Sequence, residues 1–424
     1  MEIAQLFGVF LVLLMAGAPV ATALLLSSII NVALFGFPET IVAERMLNSI
    51  NSFTLLAVPF FILSGVIMNR GGLTTRMVDV SKAFFGHFRG GTAQVNVVAN
   101  MLLAGVSGSA SADCAAIGSM LIPTMKKEGY PPGFAVGITA AASCIGPIIP
   151  PSIVMVIYGA MTNLSIGRLF LAGAIPGVLI GIALMIVVAW KARTQNFPSH
   201  TRIPWRARGW IVIESLPALF APAIIIGGII SGYYTATEAG VAACVYGLLV
   251  GAFVYRELGW KEMAPIMREA VEMTAIPIYI LAAASVFGWL LTAYGFGPLL
   301  VGWLKALAVG PLTLLILVVV LLFIVGLFLD GLAALLIFVP VFMPLVPTFG
   351  IDHIHFALIV IVTIMVGTIT PPVGLQLYIA SAIGRTSLAE VTVWPFVAAM
   401  MAVVLLMVFV PGVVTILPNL VLGR

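Results

Sequence analysis

Asp330 is a carboxylate in an apolar setting, since the 57 residues before it (273–329) carry one charge, Lys305. At the centre of a bilayer an aspartate costs about 2.5–3.5 kcal/mol on insertion scales, so its presence marks a candidate site for an ion or a substrate. The alternative is a helix cap made to local backbone N–H groups, which asparagine could also provide. A second oxygen cluster, Ser107, Ser109 and Ser111, lies in LLAGVSGSASADCAAIGSM (102–120). Ser109 stands 221 positions before Asp330, and Asp113 falls one helical turn further on, with Ala334 at the matching place. Lacking an acidic counterpart, Asp113 reads as a capping or packing residue rather than a site residue.

Two proline pairs stand in equally uncharged settings, Pro150-Pro151 within GPIIPPS (146–152) and Pro371-Pro372 within GTITPPVG (367–374). Proline has no N–H and clashes with the preceding turn, so each motif should end one half-helix, and proline also suits the start of the next. The N–H groups near Ser152 and Ile153, and near Val373 and Gly374, would then present partial positive charge to an anion. Carbonyls released around residues 143–146 and 364–367, with the Thr368 and Thr370 hydroxyls, can complete an oxygen shell for Na+. Gly105, Gly108, Gly326 and Gly331 flank the polar interruptions, where they allow close backbone approach. Small residues are also ordinary packing devices between membrane helices.

These motifs recur. Pro123, Gly129, Gly146, Pro150 and Pro151 match Pro344, Gly350, Gly367, Pro371 and Pro372 at one constant offset of 221. Chance alone gives about 0.4 such matches in a window of about thirty residues at this glycine and proline content, so the chain contains an internal repeat. LAVPFFIL (56–63) pairs with TAIPIYIL (274–281), and Ile166-Gly167-Arg168 with Ile383-Gly384-Arg385. Repeat one spans 1–190, with a hairpin at about 93–128 and a broken helix at about 133–163. A basic connector occupies 191–209. Repeat two spans 210–424, with a hairpin at about 311–349 and a broken helix at about 353–384. Backbone that leaves helix at membrane depth must be buried in protein, which favours re-entrant hairpins at the two polar interruptions.

With 62% hydrophobic and 8% charged residues and a mean hydropathy of +1.22, the chain is an integral membrane protein. Its apolar runs are continuous rather than alternating, so they read as helices rather than barrel strands. The first span is expected to be retained, because it has no basic leader and stays uncharged from Ile3 to Pro38. Lys191, Arg193, Arg202, Arg206 and Arg208 crowd the connector without an acid, which places that loop on the cytoplasmic side. Cys114, Cys144 and Cys244 suggest packed thiols, and His87, His200, His353 and His355 no metal site. Glu238 in TATEAG reads as a helix cap, and Arg168 and Arg385 as interfacial anchors. No P-loop, paired-aspartate or His-Glu-x-x-His set supports nucleotide hydrolysis or an intramembrane enzyme.

The run SGSASADCAAIGSMLIPTMKKEGY (107–130) leading to GPIIPPS, and LFLDG (327–331) leading to GTITPPVG, resemble the large membrane subunit of the tripartite ATP-independent periplasmic (TRAP) transporters. The likeness covers almost the whole chain. It implies an all-α polytopic membrane protein of the bacterial inner membrane, with two inverted repeats, re-entrant hairpins and broken helices, working as an elevator-type transporter. It implies Na+ as coupling ion, two or more per cycle, and import of a small organic acid such as a C4-dicarboxylate or a sialic acid. Implied partners are a small four-helix membrane subunit, expected as a separate chain, and a periplasmic substrate-binding protein. Nucleic acid is not among them. The resemblance places Na+ at Ser107, Ser109 and Ser111 with Gly146 and Pro147, and at Gly326, Asp330 and Gly331 with Gly367, Thr368 and Thr370. It places substrate at Ser109, Ser152 and Asp330. A self-sufficient Na+/organic anion symporter is the alternative reading.

Overall fold

A computed structural model describes residues 2–423, all of whose regular elements are helical, with no strand among the described residues. The chain opens with α1 (Glu2–Met15), α2 (Val20–Leu34) and α3 (Thr40–Ile50), followed by α4 (Ala57–Arg70) and α5 (Leu73–Phe85). Next come α6 (Gly91–Ser107) and α7 (Ala110–Lys127), two residues apart, then α8 (Pro132–Ser143) and α9 (Ile153–Thr162), interrupted by the first proline pair. The long α10 (Ile166–Thr194) leads into the basic connector, and α11 (Trp205–Ile230), α12 (Ala236–Leu249), α13 (Trp260–Ala293) and α14 (Phe296–Ala306) follow. The order of paired helices and then a broken helix returns in α15 (Pro311–Gly326), α16 (Gly331–Phe342), α17 (Leu345–Thr348), α18 (His353–Gly367) and α19 (Leu375–Gly384). The last helices, α20 (Trp394–Phe409) and α21 (Gly412–Leu422), meet at a 63° bend.

Among the described residues, five helical segments, at α4, α10, α11, α12 and α13, are long and apolar enough to cross a membrane, and a sixth results if α20 and α21 form one bent span. At 1.5 Å per residue α13 is about 51 Å long, well beyond a hydrocarbon core of about 30 Å. Its first turns account for the excess, for they carry Lys261, Glu262, Arg268, Glu269 and Glu272, which belong in water. The short helices α8, α9, α18 and α19 are apolar but none spans by itself. Their breaks follow from the prolines, and both proline pairs have a cis peptide bond.

The hairpin formed by α6 and α7 closes on itself: Thr92, in the first turn of α6, donates to Glu128, just past α7, at 2.5 Å. Its open end sits on the connector, where Gly90 N–H donates to the Pro198 carbonyl at 3.0 Å and His200 Nε2 lies 3.3 Å from Glu128. At the tip Gly108 has φ +60°, and a Cβ there would lie 2.7 Å from the Pro151 carbonyl oxygen, so only glycine lets the tip rest on the first break.

Packing crosses between the two halves of the chain. The half-helix α19 of the second half packs on α7 and α8 of the first, and α16 touches α9, while within the second half α16 packs on α18 and α13 and α15 on α18. At the α15–α18 contact a Cβ on Gly326 would stand 2.8 Å from the Gly367 Cα, so the two backbones touch where side chains would hold them apart. A second set of contacts joins α4 to α12, α5 to α11, and α2, α3 and α4 to α13. The polar tips and breaks lie among α6–α9, α15, α16, α18 and α19, and this set meets α4, α5 and α13 through α6 and α16.

Candidate functional site

Ser109 and Asp330 are both N-caps. Ser109 accepts from Ala112 N–H at 3.4 Å and Asp330 from Leu332 N–H at 3.1 Å, each satisfying an otherwise free donor at the start of α7 or α16. Asp330 therefore does make the cap that is the alternative to a ligand role. It also lines a cavity, which leaves its carboxylate open to a second task.

The first break is arranged around Asp113. This residue is fully buried, its Oδ1 accepts from the Ser107 hydroxyl, and its Oδ2 is enclosed without a partner. A Cβ on Gly146 would overlap that Oδ2, so the carboxylate presses on the α8 break where Gly146 and Ser143 lie. A buried carboxylate with one idle oxygen calls for a cation or a proton. In the sequence Asp113 is the only charge between Gly90 and Met125, a signal comparable to that of Asp330.

Ser152, expected to contact substrate, points elsewhere. It is fully buried, donates to the Pro147 carbonyl at 2.6 Å and accepts from Met155 N–H at 3.2 Å, because as the residue between the proline pair and α9 its hydroxyl is needed as the cap. The Gly374 N–H, expected free, donates to the Leu327 carbonyl at 3.2 Å and ties the second break to the α15–α16 turn. Thr370 donates to the Val366 carbonyl at 2.8 Å, and Thr368 to the Met365 carbonyl at 2.7 Å. The Thr368 hydroxyl also lies 3.6 Å from the Cys144 thiol, so the two breaks touch.

Two cavities converge on the α6–α7 tip. One, of about 660 Å³, is lined by Ser109, Ser111, Pro147, Asp330, Gly331, Thr368 and Gln376. The other, of about 460 Å³, holds Ser107, Ser109, Ser111 and Asp113 and reaches Asn69 and Glu269. Ser109 and Ser111 line both. The structure therefore brings together Ser107, Ser109, Ser111, Pro147, Asp330, Gly331 and Thr368. Gly326 and Gly367 lie behind them as a backbone contact, and Ser152 and Thr370 line neither cavity.

Gln376 escaped sequence reasoning. It is 2% exposed, donates from Nε2 to the Ser111 hydroxyl at 3.2 Å, and has an enclosed, unpartnered Oε1. Only its place just after the second proline pair hinted at it. Away from the cavities, Glu238 and Thr235 form a reciprocal capping box at α12, and Arg168 donates to the Gly423 carbonyl at 2.7 Å. The three cysteines are free and buried, and His355 is bound to the Met407 carbonyl at 2.8 Å.

Solved structures share this fold. The Alcanivorax borkumensis YdaH transporter superposes with a TM-score of 0.56 at 17% identity, over 91% of this chain and 88% of its own. Neisseria gonorrhoeae MtrF gives 0.57 at 12% identity over 90% and 83%. Sequence relatives are nearer. The sialic acid TRAP transporter large permease protein SiaM of Vibrio cholerae is 38% identical over 99% of both chains. The C4-dicarboxylate TRAP transporter large permease protein DctM of Pseudomonas aeruginosa is 38% identical over 93% of both, and the 2,3-diketo-L-gulonate large permease protein YiaN of Escherichia coli 38% over 95% of both. The family model described as tripartite ATP-independent periplasmic transporter, DctM component, matches residues 7–413. With that match over nearly its whole length, the chain belongs to the DctM family of TRAP transporter large permeases, a transport subunit and not an enzyme.

Proposed function

We propose that this permease imports a small organic acid, a C4-dicarboxylate, a sialic acid or a similar carboxylate, by coupling it to Na+. The substrate is delivered by a periplasmic binding protein, and the permease works beside a small four-helix membrane subunit in the bacterial inner membrane. Two inverted repeats, 1–190 and 210–424, supply re-entrant hairpins and broken helices that move as one elevator block.

The observation that carries the Na+ reading is the idle Asp113 Oδ2, enclosed beside Ser107 and Gly146. Na+ needs such a hard oxygen set, and Asp113, the Ser107 hydroxyl and the carbonyls of residues 143–146 would hold one ion. Asp330, Gly326, Gly331, Gly367, Thr368 and Thr370 would serve a second. Ser109 and Ser111 line both cavities and Gln376 one of them, so the substrate carboxylate belongs there. Na+ bound beside the carboxylates also cancels the repulsion an organic anion would otherwise meet.

Two Na+ entering with a monoanion move one net charge, worth about 2.3 kcal/mol at 100 mV. Two tenfold Na+ gradients add about 2.8 kcal/mol, enough to concentrate a scarce acid by nearly four decades.

The test is uptake by proteoliposomes holding both membrane subunits, with the binding protein outside. Replacing Na+ by K+ at clamped potential should abolish uptake, and uptake driven equally well by a proton gradient alone would refute Na+ coupling. Equal uptake without the binding protein would favour the self-sufficient symporter.

A further inference from the structure

The connector end of α11 holds a charge that transport does not use. Arg208 is 3% exposed, and its Nε and Nη2 are enclosed with no hydrogen-bond partner. Among the described residues no carboxylate pairs with it. On the α5–α11 seam Glu214 is taken by Arg76 at 3.8 Å, and Asp79 by Lys82 at 3.9 Å. Residues 191–209 bring four more basic side chains and no acid. An enclosed guanidinium without a counter-charge is a costly arrangement unless an anion joins it.

The start of α11 is equally unsatisfied. Its N-cap is Pro204, which has no side-chain oxygen to accept from the first-turn N–H groups, and α11 is 26 residues long, so the full positive end of its dipole is presented there. The Arg208 guanidinium is 5.1 Å from the ring of Trp205, the first residue of that helix, and 5.8 Å from the ring of Phe84, so it folds back onto the same turn. His87, just past α5, adds an enclosed Nδ1 with no partner.

Depth in the membrane narrows the choice of anion. Trp190, Trp205 and Trp210 flank the connector and are 56%, 71% and 69% exposed, the habit of tryptophans at the headgroup layer. Beyond Trp210 the outer face of α11 continues with exposed Ile213, Leu216 and Phe220, an apolar track for an acyl chain.

We propose that Arg208 and the uncapped start of α11 bind the phosphodiester headgroup of an anionic phospholipid from the cytoplasmic leaflet. Guanidinium and phosphodiester match in charge and in paired hydrogen-bond geometry, and the basic connector draws anionic lipid to the site. A free phosphate ion would offer the same oxygens without chains to lie on α11.

The experiment uses the purified full chain, delipidated in a neutral detergent, with phosphatidylglycerol, phosphatidylcholine of the same chains, and inorganic phosphate as separate probes. Phosphatidylglycerol should be retained in native mass spectra and raise the unfolding midpoint, with phosphatidylcholine doing neither. Arg208→Gln should weaken phosphatidylglycerol retention about tenfold, and Arg193→Gln in the same connector by no more than about threefold. Equal retention of the two lipids by the natural chain, or equal effects of the two variants, would overturn the proposal. Equal protection by inorganic phosphate would overturn the lipid assignment. The comparison of lipids on the natural chain decides the matter even where Arg208→Gln does not fold.

Discussion

Ser109 and Asp330, 221 residues apart, occupy the same structural place: each caps the second helix of its pair, and both line the 660 Å³ cavity. One cap is a hydroxyl and the other a carboxylate. The missing charge of the first pair reappears one turn along α7 as Asp113, whose counterpart is Ala334. Each tip therefore carries one carboxylate, held at different positions. One carboxylate at each tip would suit the two cation sites proposed above.

Asp330→Ala removes both the cap and the charge, whereas Asp330→Asn removes the charge alone. Loss of the cap costs about 1 kcal/mol, too little to unfold a protein of this size. Uptake with Asp330→Asn is expected to fall at least about tenfold, since an ion loses a charged ligand in low dielectric. Near-normal uptake with Asn and loss only with Ala would show that Asp330 is a cap and nothing more.

Asp113→Asn leaves the shape of the first break intact and removes its charge. The Na+ concentration for half-maximal uptake should rise by about tenfold, equivalent to about 1.4 kcal/mol of lost ion binding. Gly146→Ala should do comparable damage by another route, because its Cβ collides with Asp113 Oδ2 and sits 3.2 Å from the Ser143 carbonyl oxygen. Both variants should insert and assemble normally. An unchanged Na+ activation curve for Asp113→Asn would remove this residue from ion binding.

At the second break the close contact is backbone to backbone. Gly326→Val puts a branched side chain where a single Cβ already lies 2.8 Å from the Gly367 Cα and 2.9 Å from the Ile364 carbonyl oxygen, so α15 and α18 must separate. Overpacking of this kind costs about 1–3 kcal/mol. A lower unfolding midpoint is expected together with lost uptake. Gly302→Val, at a position with open space around it, is the control and should leave both unchanged.

What could be read in the sequence is what local chemistry decides. Proline cannot donate, so the interruptions at Pro150-Pro151 and Pro371-Pro372 follow from the residues alone, as does the candidacy of a lone Asp330. Asp113 is as legible on charge alone, although Ala334 stands at its repeat position. Other features depend on long-range packing. Gln376 meets Ser111, and Cys144 meets Thr368, only because α19 of the second half packs on α7 and α8 of the first. Local pattern carries no record of that pairing. Ser152 went astray for a related reason: its type suggested a ligand, and the choice between cavity and Pro147 carbonyl was made by the backbone of the break.

The same crossed packing bears on motion. Since α19 rests on α7 and α8, and α16 touches α9, each hairpin contacts the other half's broken helix, and the two would be expected to move together. A rigid block of α6–α9, α15, α16, α18 and α19 would transfer the site across the membrane without exposing its backbone polar groups to lipid, which costs several kcal/mol for each group. Single cysteines at Ser109 and at Asp330, placed in a chain lacking Cys114, Cys144 and Cys244, report on this through labelling by impermeant reagents from either face. Insertion and folding suffice for that readout, so loss of transport in these variants does not matter. Conditions that shift one cysteine from periplasmic to cytoplasmic access should shift the other in parallel. A state in which Ser109→Cys reacts only from the cytoplasm while Asp330→Cys reacts only from the periplasm would replace the single block by two independent gates.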